Sequence, residues 1–215
     1  MPQARTPATG SIVVSGTGRV AVQPDVADLR LGVTVARPSV DTARAEAGRT
    51  MDSILTAVQA AGVARRDVNT AMLSVQPRYD YRDGQAPQLT GYEIANIVEV
   101  TVRDLAQLGS VVDGALAAGA TSMDGLAFRV SDPALPERQA RIRAMAEARA
   151  RADVLAEAAG LSIEGVTDIV EGVPVRPPFP LAKANRMMIA EDVATPVEAG
   201  SQEIAVSVTV TYRAS

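Results

Sequence analysis

Apolar and polar positions alternate along much of the chain, and this alternation predicts a protein rich in strands. Between Val26 and Val35, apolar residues occupy nearly every second position, which is typical of a strand with one buried face. Further strands are predicted at residues 11–15, 19–23, 68–81, 92–102, 126–130, 163–173 and 204–212. On the strand at 68–81, one face carries Ala71, Leu73, Val75, Tyr79 and Tyr81.

Three segments repeat their apolar residues at helical steps instead. The first follows Ser39, a plausible N-cap, and ends before Gly62, while a shorter helix covers residues 105–116. The longest helix lies between residues 131 and 160. Its predicted apolar stripe consists of Ile142, Met145, Ala152, Leu155 and Ala159. Its arginines alternate with acidic residues, which predicts a solvated face with ion pairs.

The order of these elements predicts an α+β fold with a mainly antiparallel sheet. From residue 26 to residue 130 the order is β-α-β-β-α-β, the ferredoxin-like order, in which both helices pack on one face of the sheet. An N-terminal hairpin and a C-terminal α-β-β segment extend it. No linker divides the chain, so we expect a flexible tail at residues 1–10 and a single domain at residues 11–215.

A long Pro-rich loop at residues 174–202 separates the last two predicted strands. It exceeds an ordinary connection, which indicates a role in function, motion or assembly. The loop contains an apolar cluster, and exposed apolar clusters usually mark contacts with another molecule. The alternative is that the side chains of this cluster join the core. The candidate contact residues for a homo-oligomer or a partner are Phe179, Met187, Met188 and Ile189.

The composition restricts the chemistry that the chain can perform. It contains no cysteine and no histidine, which excludes Ser-His-Asp and Cys-His nucleophile systems and leaves only carboxylates for zinc. An enzyme would need at least two carboxylates among Asp80, Asp83, Glu93 and Glu99 to converge in one pocket. The net charge of −4 argues against a nucleic-acid partner. We expect no catalytic residue, cofactor or metal site.

One short stretch imitates a nucleotide-binding motif. Gly16, Gly18 and Ala21 fit the dinucleotide fingerprint G-x-G-x-x-[G/A]. The third position of that motif must open a helix, whereas here residues 19–23 alternate as a strand and Pro24 follows. We therefore interpret the glycines as a bend or bulge between two strands.

The sequence is compatible with more than one cellular compartment. No stretch approaches 18 consecutive apolar residues, so no transmembrane helix is expected. The first residues, "MPQARTPATG", lack the apolar region of a signal peptide. Either the protein is cytoplasmic or the sequence begins after a removed signal.

Five segments in the same order resemble the SIMPL-domain family. They are "IVVSGTGRVAVQPDVADLRLGV", "LSVQPRYDY", "TGYEIANIVEVTVRDLAQLGSVVDGALAAGA", "ARADVLAEAAG" and "AVSVTVTY". The resemblance covers nearly the whole chain, from Ser11 to about Tyr212. It implies a periplasmic or secreted bacterial protein with no established enzymatic activity and a link to oxidative-stress tolerance. It also implies a homo-oligomer, ring- or channel-like in at least one member, and it supplies no catalytic residues.

The sequence thus predicts a non-enzymatic, self-assembling protein. The late loop and exposed strand edges would supply its contacts. The alternative is a monomeric binding module for a protein partner or a small ligand.

Overall fold

The computed structural model describes residues 10–82, 86–172 and 197–215. These residues form antiparallel sheets and three helices, which confirms the predicted α+β class. The elements are β1 (Gly10–Val22), β2 (Val26–Arg37), α1 (Val40–Ala60), β3 (Val68–Asp80), β4 (Gln88–Val102), α2 (Leu108–Ala117), β5 (Ser122–Arg129), α3 (Ala134–Ala159), β6 (Ile163–Glu171) and β7 (Gln202–Ala214). Of the predicted tail, only Gly10 is described, and it begins β1.

The described residues fall into two compact units. The ferredoxin-like unit contains residues 24–131 and 197–199, and the α3 unit contains residues 10–23, 132–172 and 200–215. Each unit has its own apolar core. The single domain at residues 11–215 stays a prediction.

The ferredoxin-like unit has a four-stranded sheet in the order β3-β4-β2-β5, with antiparallel neighbours throughout. The connection β2-α1-β3-β4-α2-β5 confirms the order predicted for residues 26–130. Ser39 caps α1 as expected, because its hydroxyl accepts a hydrogen bond from the Thr42 amide at 3.3 Å. Helix α1 packs on β2 and β4 and contacts α2, so the core lies between these elements.

Strand β3 lies at the edge of this sheet, and no helix or strand of the described residues covers its apolar face. Leu73 and Val75 are 68% and 52% exposed, and Tyr79 and Tyr81 are exposed as well. The reason is the position of α1, which contacts the two inner strands. Alternation along β3 predicted the strand correctly, but it did not show that one face would lack a covering layer.

The α3 unit has a three-stranded antiparallel sheet in the order β1-β7-β6, with α3 packed mainly on β1 and β7. The N-terminal hairpin is not formed. Instead, β1 is one continuous strand that pairs with β7 from Gly10 opposite Ala214 to Val22 opposite Gln202. No helix among the described residues combines the length and the apolar character needed to span a bilayer.

Candidate functional site

The two glycines of the false nucleotide motif lie in the middle of β1, directly against α3. A Cβ atom on Gly16 would lie 2.1 Å from the carbonyl oxygen of Ala144, and one on Gly18 would lie 1.8 Å from that of Ala140. Neither glycine has a positive φ. The interpretation of a bend was therefore wrong: these glycines allow the helix backbone to approach the strand.

The face of α3 that meets β1 is made of alanine. Every fourth residue is buried, in the series Ala140, Ala144, Ala148, Ala152 and Ala156. The predicted stripe was correct at Ala152, which is buried, and at Met145, which packs against this core. It was wrong at Ile142 and Leu155, which are 60% and 49% exposed, and at Ala159, which is exposed as well. The close approach at the glycines leaves room for methyl groups alone on the face that meets β1, and Ile142 and Leu155 point outward.

Polar side chains of α3 cover the outer edge of β1. The Arg143 guanidinium donates to the Arg19 carbonyl at 2.5 Å, and that of Arg151 donates to the Ser15 carbonyl at 2.7 Å. Between them, the Thr17 amide donates to the Glu147 carboxylate at 2.5 Å. We call Arg143, Glu147 and Arg151 the edge ladder. Their four-residue spacing matches the two-residue spacing of outward-facing backbone groups on β1.

The charged face of α3 was predicted to face solvent, but the edge ladder on this face also binds the backbone of β1. Ion pairs of the predicted kind occur, such as Arg151 with Glu147 at 2.6 Å and Arg149 with Asp153 at 2.9 Å. Arg151 also binds the backbone of β1, however, so it seals a strand edge rather than only facing solvent. A sealed edge cannot pair with a strand of another chain.

An open apolar groove of about 660 Å³ lies beside the ladder, entirely within the α3 unit. Its lining residues are Val14, Ser15, Glu147, Ala150, Arg151, Val154 and Leu155. Val154 is 65% exposed although it is apolar. The groove offers an apolar surface to a small ligand or to the side chains of a partner.

Charged groups in the ferredoxin-like unit pair closely. The Arg103 guanidinium donates from Nε and Nη2 to Oδ1 of Asp67, at 3.0 and 2.8 Å. This hydrogen bonding holds the pKa of Asp67 below its usual range, although burial opposes the shift, and it raises the pKa of Arg103.

The pKa values of two further aspartates of this unit are also lowered. Burial raises the pKa of Asp28, but hydrogen bonds from Arg129 at 2.5 Å and Thr101 at 2.8 Å outweigh it, so the net shift is downward. The hydroxyl and amide of Ser131 lower the pKa of Asp25. Carboxylates bound in this way stabilise the fold, whereas a general acid at neutral pH needs a raised pKa.

The carboxylates proposed for an enzyme do not meet in the described structure. Glu93 and Glu99 lie six positions apart on β4, which separates them by about 20 Å. Asp80 lies opposite Gln88 and pairs with Arg82 at 2.8 Å, while Asp83 lies outside the described residues. Within the part of the chain that the structure describes, no three Asp or Glu residues could together hold a metal ion.

The four predicted contact residues, Phe179, Met187, Met188 and Ile189, lie outside the described residues. Of the late loop, the structure describes only the end, where Val197 packs against the core of the ferredoxin-like unit. Their role in contacts stays a prediction.

Exposed apolar side chains occur on the edge strands β3, β5 and β6 and on α3. Met72, Leu73 and Val75 are exposed on β3, and Val166 and Val170 are exposed on β6. The sequence predicts exposed strand edges as contact surfaces, but it does not predict that side chains of α3 cover the edge of β1. The available signal was the repeat of Arg143, Glu147 and Arg151 in phase with the buried alanines.

The chain matches the family model SIMPL, described as "Protein of unknown function (DUF541)", over residues 12–212. It is 33% identical to the 26 kDa periplasmic immunogenic protein of Brucella melitensis, over 94% of this chain and 83% of that protein. It is 35% identical to the uncharacterized protein YggE of Escherichia coli, over 87% of this chain and 74% of YggE. A YggE protein of Edwardsiella ictaluri is 28% identical over 77% of this chain and 70% of that protein. The match runs through both compact units, and by it the chain belongs to the SIMPL family.

Proposed function

We propose that the protein is a non-enzymatic SIMPL protein of the periplasm that assembles into a homo-oligomer. The observation that carries this proposal is the uncovered apolar surface of the β3–β4 hairpin. Leu73, Val75, Tyr79 and Leu89 are between 46% and 68% exposed there, and Met72, on the opposite face of the sheet, is 44% exposed. Exposed apolar patches of this kind are typical of surfaces that bind another protein.

Light scattering after size-exclusion chromatography tests the assembly. We expect a mass of at least two chains at high micromolar concentration. A strictly monomeric protein at that concentration would contradict the proposal. If the protein is assembled, a dilution series gives the concentration at which the oligomer dissociates.

We also propose the late loop as a contact, through Phe179, Met187, Met188 and Ile189. Deletion of residues 176–198 should weaken the oligomer, because it removes this apolar cluster, and circular dichroism checks the fold, since Val197 of the core is removed as well. Replacement of the four residues by serine is a milder version, and the matched control replaces Lys183 and Arg186 by serine. An unchanged oligomer after the apolar replacements would mean that the contacts lie elsewhere.

The periplasmic location and a role in tolerance of oxidative stress are further parts of the proposal. Support for the location is the name of the Brucella relative, which includes the word periplasmic. A signal peptide encoded at the 5′ end of the native gene, with recovery of the protein in a periplasmic fraction, would agree with it. Growth of a deletion strain in peroxide, with and without the restored gene, tests the second part.

A monomeric binding module is the second candidate, and the groove on the α3 unit favours it. Val154→Asp would place a charge in this groove without disturbing the buried alanines of α3. A stoichiometric protein or small molecule that co-purifies with the monomer and is lost from this variant would favour the second candidate.

A further inference from the structure

We infer that β3 is an interface strand that pairs antiparallel with β3 of a second copy of the chain, across a two-fold axis. The inference rests on the proposed self-assembly and assigns to it one element and one geometry. Its basis is the hydrogen-bonding edge of β3, the exposure of its apolar side chains and the distribution of charge over the edge strands.

The backbone of β3 presents hydrogen-bonding groups to its outer side. The Gly32 carbonyl accepts a hydrogen bond at 2.9 Å from the amide just before β5, so Gly32 faces β5 and its neighbour Val33 faces β4. Val33 pairs with Asn96, which therefore faces β2 and leaves its β3 partner Leu73 directed at the open edge. By the same alternation, the amide and carbonyl of Val75 face outward too.

The side chains next to this edge are apolar and uncovered. Leu73 is 68% exposed and Val75 is 52% exposed, and both lie on the side of the sheet where the helices pack. Helix α1 contacts β2 and β4 and leaves this strip bare. A second copy that extends the sheet beyond β3 would cover the strip with its own equivalent residues.

Charge distinguishes β3 from the other edge strands of the described structure. No charged residue occurs from Val68 to Pro77. The edge of β1 is sealed by the edge ladder, and β6 carries three acidic residues, Glu164, Asp168 and Glu171. The remaining edge strand, β5, is eight residues long and carries Asp124 and Arg129. Natural proteins use charges, bulges and proline to prevent edge pairing. Strand β3 has register shifts between Thr70 and Met72 and between Arg78 and Tyr79 and contains Pro77, but between them residues 73–76 pair regularly with β4 and carry no charge.

The absence of charge also favours identical strands as partners. In a two-fold contact each residue meets the same surface of its partner, so a charged strand would face its own charge. Two copies of β6 would bring six carboxylates together, whereas two copies of β3 bring together neutral side chains. The four-stranded sheet would then continue across the axis as an eight-stranded sheet.

Disulfide trapping tests this geometry directly, because these 215 residues contain no cysteine. We would introduce Leu73→Cys and Val75→Cys separately and together, since the two positions lie opposite each other if Ser74 is on the axis, and oxidise each protein at a concentration where it is assembled. Directly opposed residues of antiparallel strands have Cβ atoms about 4.5–5.5 Å apart, and a disulfide needs about 3.5–4.5 Å, so a small local shift brings the two sulfur atoms into bonding distance. We expect a covalent dimer from at least one variant and none from the control Val170→Cys, on the acidic edge strand β6.

Charge insertion is the second test. Leu73→Lys with Val75→Lys should raise the concentration at which the oligomer dissociates at least tenfold, since each strand would then meet like charges. The matched control, Val166→Lys with Val170→Lys, should leave it unchanged, and circular dichroism verifies the fold of both. Assembly that survives these lysines, together with no disulfide at either position, would overturn the inference while self-assembly stands. A monomeric wild-type protein would overturn both.

Discussion

Gly18 of β1 lies beneath Ala140 of α3 so closely that a single added methyl group would overlap the helix backbone. The Cβ of such a group would be 1.8 Å from the Ala140 carbonyl oxygen and 2.6 Å from the Ala144 amide nitrogen. Backbone atoms cannot rotate away as the end of a side chain can. The contact therefore fixes the distance between the strand and the helix.

We expect Gly18→Ala to destabilise the protein by about 3 kcal/mol, because the helix must move outward and lose its alanine contacts. Gly48→Ala, on an open face of α1, is the matched control, since an added Cβ there meets nothing within 4 Å. It should stabilise by about 0.5–1 kcal/mol through the higher helix propensity of alanine. Urea unfolding followed by circular dichroism measures both, and equal effects would contradict the close contact.

The edge ladder predicts a specific role for Glu147. Glu147→Ala removes the acceptor of the Thr17 amide and one partner of Arg151. We expect a loss of about 1–2 kcal/mol, together with faster aggregation on heating, because the edge of β1 becomes available for pairing. Glu157→Ala, at an exposed position of the same helix, should change stability by less than about 0.5 kcal/mol. Light scattering during a temperature ramp distinguishes the two.

Acid should destabilise the ferredoxin-like unit. The pKa values of Asp25, Asp28 and Asp67 are lowered in the folded protein, so the unfolded chain binds more protons at low pH. The resulting stability is complete above about pH 5 and is lost as pH falls below about 4, through the folded-state pKa values. Since the chain has no histidine, we expect little change between about pH 6 and pH 8.

Urea midpoints at several pH values measure this dependence. Asp28→Asn should flatten the acid side of the profile, because one of the three shifted groups no longer titrates. A stability that stays constant down to about pH 3 would show that these carboxylates are not better stabilised in the folded state than in the unfolded chain.

The N-cap of α1 gives a further prediction. Ser39→Ala removes the hydroxyl that accepts from the Thr42 amide, and it should cost about 1 kcal/mol. Ser53→Ala, at an exposed position inside the same helix, should be neutral or slightly stabilising, since alanine is the better helix former. Thermal unfolding of the two variants compares them, and a larger loss at Ser53 would contradict the capping role.

Local patterns predicted most elements because their causes are local. The alternation from Val26 to Val35, the cap at Ser39 and the order β-α-β-β-α-β all follow from residues close together in the sequence. The function class rests on the family resemblance, which the match over residues 12–212 confirms as family membership.

The candidate contact surface could be predicted only in part. Apolar residues of β3 are visible in the sequence, but their exposure depends on where α1 packs. The stripe of α3 was misplaced for a similar reason. Large apolar residues such as Ile142 usually mark the buried face, yet the glycines of a distant strand exclude them here.

The sequence by itself determined which segments are helices and strands, and its lack of cysteine and histidine excluded whole classes of chemistry. Only the tertiary structure decided the meaning of "SGTGRV". The glycines act through contact with alanines more than 120 positions away, and the ladder from Arg143 to Arg151 seals the same strand. Such pairings depend on distances between elements that are remote in sequence, and local periodicity carries no information about those distances.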